Sequence, residues 1–586
     1  IGVKISVEDY NKKCKEVVMR YKSVWEDLTN KMGYWVNLED AYITYDSKYM
    51  ETVWWLLGEL HKKDLLYKGH TIQPYSPMAG TGLSSHELNQ PGTYRDVQDQ
   101  TVVAQFIATN ESKEKLLGDK NAPLFFLAWT TTPWTLPANT ALCVGPKIDY
   151  VVVKTTNKYS GEEINVLLAK SRLSAYFKEE VSEAEFAELE DKKKSSSYVL
   201  LKEVKGADVK GLKYHQLFDI AKPEGKAFEI LADNFVTTED GTGVVHMAPC
   251  YGADDARICK TAGIASLDIV GFDGHYREIM GPFAGEAVKA EYLPEEQTKV
   301  DGFKSLDVKL VIDLKGRGQA FHAEKYLHSY PHCWRTDKPI LYFPLESWFI
   351  KTTALKDRLI DLNKTINWQP ESTGTGRFGN WLENLVDWNL SRSRFWGIPL
   401  PIWRNEESEE QIVVSSIGEL KKEIDKSIAA GLMTENFLAD FSEGDMSQEN
   451  YSLADIHRTN VDKVVLVSET GKPLTREDDI IDVWFDSGAM PYAQIHYPFE
   501  NKDSLGTQFP ADFIAEGVDQ TRGWFFTLHA ISTLCFDSVA YKNVVSNGLV
   551  LDKDGQKMSK RLGNSVEPFE ALEKYGADAV RWYMLQ

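Results

Sequence analysis

Apolar residues recur at helical spacing from Ser6 to about position 32, through Tyr10, Cys14, Val17, Tyr21, Val24 and Leu28, and Gly33 ends the run. This spacing predicts an amphipathic helix, and Ser6 with Asp9 resembles a capping box with Asp in place of Glu or Gln. A second helix is predicted over 47–63, with Tyr49, Val53, Leu56, Leu57 and Leu60 inside. From about 98 the pattern changes. Short apolar runs at 100–108, 123–130 and 148–153, with turn residues between them, predict strands. The polar stretch Glu179 to Ser197 predicts a solvated helix and loop, and the polar, acidic stretch 405–475 an exposed secondary insertion. Residues 510–525 read as strand, glycine turn, then helix. The run 543–551 predicts a buried strand broken by Gly548. Asp554-Gly555 is a turn signal, and a helical pattern leads from Pro568 toward Tyr583.

A chain of 586 residues is too long for one core, so several domains are expected. An apolar fraction of 43% and a charged fraction of 26% fit a soluble globular protein. No apolar run approaches the ~20 residues that span a bilayer, so no membrane association is expected; the cytoplasmic location expected rests on the cysteine usage. Six cysteines (Cys14, Cys143, Cys250, Cys259, Cys333, Cys535) are scattered without a CxxC pair, which suggests a reducing compartment. The net charge of −21 argues slightly against nucleic acid, so any RNA contact must use local basic patches. The chain begins at Ile1 rather than Met, which reads as a trimmed chain.

Four stretches carry candidate chemistry. Lys557, Lys560 and Arg561 put three cations on a loop between strand and helix, where ammonium groups can swing onto an oligophosphate. Trp129 to Thr140 holds a run of hydroxyls between two prolines, which gives donors and acceptors on a stiff backbone. Asp240 to Asp255 combines glycines that allow close backbone approach with His246 and Asp255. In Pro510 to Phe525, Gly517 lets the backbone approach a ribose, Asp519 and Gln520 offer hydrogen bonds, and Trp524 with Trp484 can wall an apolar pocket. Each stretch alone has an ordinary structural reading: a solvated basic turn, a Thr-rich strand end, a structural histidine, or core tryptophans.

Together these strings resemble the class I aminoacyl-tRNA synthetases. Lys557-Met558-Ser559-Lys560 looks like the family's ATP-binding signature loop, with Arg561 where Ser is usual. The Thr-rich peptide and the GTGxxHxAP…DD segment look like the editing domain of its isoleucyl, valyl and leucyl members. DVWFDSG and EGVDQTRGWF favour the isoleucyl members over their valyl and leucyl rivals. Trp388 to Pro401 is similar to a segment whose basic side chains face the tRNA acceptor end. The resemblance implies a doubly wound α/β Rossmann-type nucleotide-binding domain interrupted by a strand-rich inserted editing domain. Its expected parts are a first catalytic half at 1–97, the editing domain at 98–312, a catalytic continuation at 313–404, the secondary insertion at 405–475 and a second catalytic half at 476–586.

The resemblance also implies roles. Lys557 and Lys560 neutralise charge on ATP, with Met558 and Ser559 in the same loop and Mg²⁺ on the phosphates. Glu516, Gly517, Asp519 and Gln520 contact the aminoacyl-adenylate, while Trp484 and Trp524 shape the isoleucine pocket. Asp255 holds the ammonium of a wrong aminoacyl group, and Thr130, Thr131, Thr132, Asn139 and His246 bind the terminal adenosine ester and position water. Isoleucine, ATP and isoleucine tRNA are the implied partners of a chain expected to be a monomer. Relatives often build a zinc site from two CxxC pairs. The matching positions are Ser76, Ala79, Cys333 and Thr336, and one thiolate cannot hold a structural zinc, so no metal is expected there. The family's HxGH-type motif is not found before residue 30, and the helical anticodon-binding region expected after the lysine loop is absent. A fragment weak in isoleucine activation but able to deacylate valyl-tRNA is therefore expected. A synthetase-derived nucleotide-binding scaffold without catalysis is the alternative of another class.

Overall fold

The computed structural model describes residues 5–585 apart from 84, 89–91, 194, 557 and 559–562, and the side chains of 85 and 86. The chain forms two compact units, one of residues 1–69 with 346–586 and one of residues 70–345. It leaves the first through the strand Leu66–Ser76 and returns through Leu341–Ile350.

The first unit is built around one apolar core. The helix Ser47–Lys62 lies where its spacing predicts, and Tyr49, Val53, Leu56, Leu57 and Leu60 are all buried. Packed with it is the apolar helix Trp524–Phe536, buried over most of its length. A short parallel sheet orders Asn367–Gln369, Asn543–Asn547 and Ile514–Gly517 side by side. Ile514–Gly517 runs directly into a 3₁₀ turn, Val518–Arg522, and then the helix, so Glu516 and Gly517 end the strand and Val518 to Trp524 lie beyond its carboxyl end.

Three expectations for this unit are corrected. The run 6–32 is two helices, Val7–Arg20 and Lys22–Lys31, the first capped by the Ser6 hydroxyl, which accepts the Asp9 N–H. Its apolar stripe stays largely at the surface, with Val17, Tyr21 and Val24 all exposed. The stretch 405–475, expected to be an exposed insertion, is not largely exposed. Its helix Ile417–Ala429 and its strands Gln411–Val413, Val465–Val467 and Pro473–Arg476 bury Ile417, Leu420, Ile424, Leu466 and Leu474 in the main core. Acidic composition concealed this because the charges occupy the outer faces of elements whose inner faces are aliphatic. The predicted strand 543–551 ends at Asn547, and Leu549, Val550 and Leu551 are exposed.

The second unit is organised by one large sheet, ten-stranded among the described residues. Glu229–Ala232, Ala141–Val144, Val244–Met247, Leu124–Thr130, Glu163–Ala169, Asp149–Thr156 and Ser197–Lys205 follow one another across it. Tyr94–Ile107 pairs with both Leu124–Thr130 and the long strand Ala320–Pro331. This last pairing places residues well beyond 312 in the strand-rich unit, so the unit is wider than texture alone suggested. Two bulky cores cover the sheet's faces, one around Phe106, Phe126 and Tyr150 and one around Leu127, Val151 and Val166. Between Glu179 and Ser197 lies a short helix, Glu183–Ala187, with a complete capping box from Ser182 and Glu185.

Candidate functional sites

In the second unit, neighbouring strand ends bring the Thr-rich turn and the His246 strand together. Val245 pairs in parallel with Trp129 and antiparallel with Cys143. This puts His246 one step from both the carboxyl end of Leu124–Thr130 and the strand that follows Asn139. Gly243, at φ +73°, makes the entry to the strand. A Cβ there would sit 2.4 Å from the Ala169 side chain, so no larger residue fits.

The polar groups form an ordered chain. Thr130 Oγ1 accepts the Thr132 N–H at 3.1 Å and lies 3.3 Å from the Thr132 hydroxyl. Thr131 stands half-buried between them. The prolines hold the 3₁₀ turn Pro133–Ala138, which buries Thr135. Asn139 is buried; its Oδ1 accepts from the Tyr214 hydroxyl at 2.6 Å and its Nδ2 donates to the Ala141 carbonyl at 2.8 Å. Those two partners fix which way the amide faces. Nδ2, 3.2 Å from His246 Nδ1, is therefore a donor, and Nδ1 must be an acceptor. The ring proton is then on Nε2, which donates to Thr135 Oγ1 at 2.8 Å, and that hydroxyl donates on to the Thr132 carbonyl at 2.8 Å. Burial pushes the His246 pKa down to about 4, so the ring is neutral near pH 7. With both ring nitrogens engaged, His246 holds the turn in place and is not a free base.

Asp255 closes the group. It sits in the first turn of the helix Ala253–Thr261, and its Oδ2 accepts the Ala248 N–H at 2.8 Å, two residues beyond His246. Burial pushes its pKa up to about 6, the Ala248 bond pulls it down, and the Asp254 charge raises it further. A part-buried carboxylate whose charge burial penalises is suited to receive a cation.

In the first unit, Gln520 Oε1 accepts the Trp524 N–H at 3.0 Å and its Nε2 lies 3.4 Å from Asp519 Oδ2. A Cβ on Gly523 would meet Gln520 Oε1 at 2.7 Å and the Trp484 ring at 3.1 Å, and one on Gly517 would meet Asp519 Oδ1 at 2.6 Å. Trp524 Nε1 donates to the Ser487 carbonyl at 2.9 Å. Trp484, Trp524, Gln520 and Asp519 thus form one group around two glycines. Glu516 is exposed on the same turn, and partial desolvation, then the Asp519 charge, raise its pKa. Arg392 pairs with Asp482 at 2.7 Å, so this guanidinium is engaged within the protein.

A family model described as tRNA synthetases class I (I, L, M and V) matches residues 2–586. The chain belongs to that family. It is 56% identical over 615 residues to the isoleucine--tRNA ligase of Bacteroides fragilis, covering 100% of this chain and 53% of the relative. The Cytophaga hutchinsonii isoleucine--tRNA ligase is also 56% identical, over 602 residues, with 100% and 52% covered. That of Clostridium tetani is 42% identical over 581 residues, with 99% and 49% covered. This class I synthetase chain thus spans about half the length of the curated relatives it matches. Among solved structures, an Agrobacterium radiobacter K84 LeuRS–tRNA–LeuAMS complex aligns at a TM-score of 0.38 and 15% identity, over 99% of this chain and 62% of that one.

Of the synthetase's signature loop, Lys557, Ser559, Lys560 and Arg561 lie outside the described residues, while Met558 is half-buried. The described approach to the loop is tied by Asp552. Its Oδ1 accepts from Asp554 N and Gln556 N and its Oδ2 from Asn564 Nδ2, at 2.9, 2.8 and 2.7 Å. At the zinc-like positions, Cys333 is buried with Ala79 packed beside it. Burial raises the thiol's pKa, but hydrogen bonds from the Thr336 and Ser76 side chains and from the Arg335 and Thr336 backbone together lower it. Sequence reasoning overlooked Thr135, although it lies inside the Thr-rich string, and Tyr214, which no local pattern marks.

Proposed function

We propose that this chain takes part in ATP-dependent ligation of isoleucine to its tRNA and carries a second, hydrolytic centre that removes misactivated valine. The isoleucine carboxylate attacks the α-phosphate of ATP, giving isoleucyl-adenylate and pyrophosphate, and a ribose hydroxyl of the tRNA then takes the acyl group. Trp484, Trp524, Gln520 and Asp519 are the residues suited to hold the adenylate. Lys557 and Lys560, with Mg²⁺ on the phosphates, are suited to neutralise the charge that builds there. The identity to isoleucine--tRNA ligases supports the choice of amino acid.

Valine lacks one methylene of isoleucine, and a single pocket discriminates against it by only about 1–3 kcal/mol, a case for which this enzyme class is itself the standard illustration. A second site follows from that limit. One observation carries the hydrolytic reading: a part-buried carboxylate, Asp255, bonded to the Ala248 N–H, stands at the strand end where Asn139, His246 and Thr135 are locked into one hydrogen-bonded chain. Asp255 would take the substrate ammonium, and the hydroxyls of Thr130 and Thr132 would orient water on an ester that is already activated. The test is hydrolysis of valyl-tRNA by this chain with and without Asp255→Ala. The expected result is a loss of about a hundredfold or more. Hydrolysis unchanged by the substitution overturns the reading.

A further inference from the structure

Beside the Thr-rich turn lies a group of buried charges that the proposed reaction does not use. Lys289, 5% exposed, pairs with Asp99 at 2.8 Å and lies 4.4 Å from the centre of the Tyr330 ring. Asp99 is also 3.2 Å from His328 Nε2. The third charge, Asp307, is 6% exposed in the first turn of the helix Leu306–Gly316. Its Oδ1 accepts the N–H of Trp134 at 2.8 Å.

That N–H has a particular place in the turn. Pro133 has no N–H to give, so Trp134 carries the turn's first donor. On the other side of the same residue, the buried Tyr276 hydroxyl donates to the Trp134 carbonyl. The Thr135 N–H in turn donates to the Thr132 carbonyl at 2.9 Å. The peptide plane between Trp134 and Thr135 is therefore held at both ends. The indole is held too, edge-on to Tyr251 at 5.1 Å between centroids. The next atom outward from this plane that matters is Thr135 Oγ1, the partner of His246 Nε2.

We propose that Asp307 and Tyr276 are positioning residues that act through the two peptides flanking Trp134 to set the Thr135 hydroxyl against His246. A 3₁₀ turn has poor hydrogen-bond geometry of its own, so side chains from outside must fix its plane. A buried carboxylate is costly unless it is bonded, and here its bond is spent on a backbone N–H of the Thr-rich turn. The inference rests on the hydrolytic reading of this site.

The experiment compares Asp307→Leu, Asp307→Asn and Tyr276→Phe in this chain, with valyl-tRNA as substrate and ring ¹⁵N spectra of His246 assigned through His246→Gln. Asp307→Leu should lower kcat by about tenfold or more with KM within about twofold, and Asp307→Asn, which still offers an oxygen to Trp134, should recover to within about threefold. Tyr276→Phe keeps the ring and the core, and should lower kcat by about threefold to tenfold. In Asp307→Leu and Tyr276→Phe the His246 Nε2–H signal should move or exchange faster. Folded variants with unchanged kcat and an unchanged His246 spectrum overturn the proposal, and if Asp307→Leu does not fold, Tyr276→Phe decides. If the parent chain does not hydrolyse valyl-tRNA, the hydrolytic reading has failed by itself. The spectra then decide whether these residues position Thr135.

Discussion

Thr135 Oγ1 lies 2.8 Å from His246 Nε2, and Asn139 Nδ2 lies 3.2 Å from His246 Nδ1, so the protein allows the imidazole a single tautomer. The consequence is that His246 organises the site and leaves proton transfer to other groups. Removing the Thr135 hydroxyl strands a buried N–H. Thr135→Ala is expected to destabilise the chain by about 1–3 kcal/mol, whereas Thr135→Ser, which keeps the hydroxyl, should cost less than about 1 kcal/mol. Denaturant unfolding of the two variants checks this.

The histidine also sets a pH signature. Its folded pKa is pushed down to about 4 by burial. Below its usual value of about 6.5 the unfolded chain takes up a proton that the folded chain refuses, so stability falls as pH drops from about 6.5 to 4. His529, buried in the other unit and also pushed down to about 4, acts in the same direction. His246→Gln and His529→Gln should each flatten the stability profile across that window.

Asp255 behaves in the opposite sense. With a folded pKa raised to about 6, the folded chain holds a proton that the unfolded chain has lost between about pH 4 and 6, so stability falls as pH rises through this window. Asp255→Asn is expected to stabilise the protein at pH 7.5 by about 1–2 kcal/mol, with the gain vanishing below about pH 4. Thermal unfolding at both pH values measures it. A carboxylate that lowers stability when ionised is what the proposed cation-holding role requires.

Gly523 tests the other constellation. A methyl group there would press on Gln520 Oε1 at 2.7 Å and on the Trp484 ring at 3.1 Å. Gln520 must then give up the Trp524 N–H. Under the proposed function, Gly523→Ala is expected to raise the KM for isoleucine in pyrophosphate exchange by about tenfold, with less effect on the KM for ATP.

Legibility in the sequence divided along physical lines. The helix over Ser47–Lys62 could be read because its apolar spacing and its burial coincide. So could the strand, turn and helix around Gly517, where local signals suffice. The stripe from Tyr10 to Val24 had the same periodicity and is largely exposed, because periodicity reports a face and not what covers it. Pairings between distant segments were not legible. Nothing near Ala320 announces that it lies opposite Ala104, and nothing near Asp307 announces that it holds Trp134. The candidate residues Thr130, Thr132, Asn139, His246 and Asp255 were named from motif resemblance, but the hydrogen-bonded order among them required the fold.

The stretch 405–475 offers a direct check of the corrected core. Trp403, fully buried at its edge, packs edge-on to Trp54 at 6.3 Å and donates to the Val464 carbonyl at 3.0 Å. If this region is integral to the first unit, Trp403→Ala should cost about 3–5 kcal/mol and lower the cooperativity of unfolding. An appendage would lose far less.

The claim on which most depends is that hydrolysis discriminates where a single binding pocket cannot. The most direct measurement is the rate at which this chain deacylates valyl-tRNA compared with isoleucyl-tRNA, both made on the isoleucine tRNA. The account predicts that the valyl ester is cleaved at least about tenfold faster, because on the proposed reading the pre-ordered site must exclude the added methylene. Equal rates for the two esters, or no cleavage of either, would contradict it.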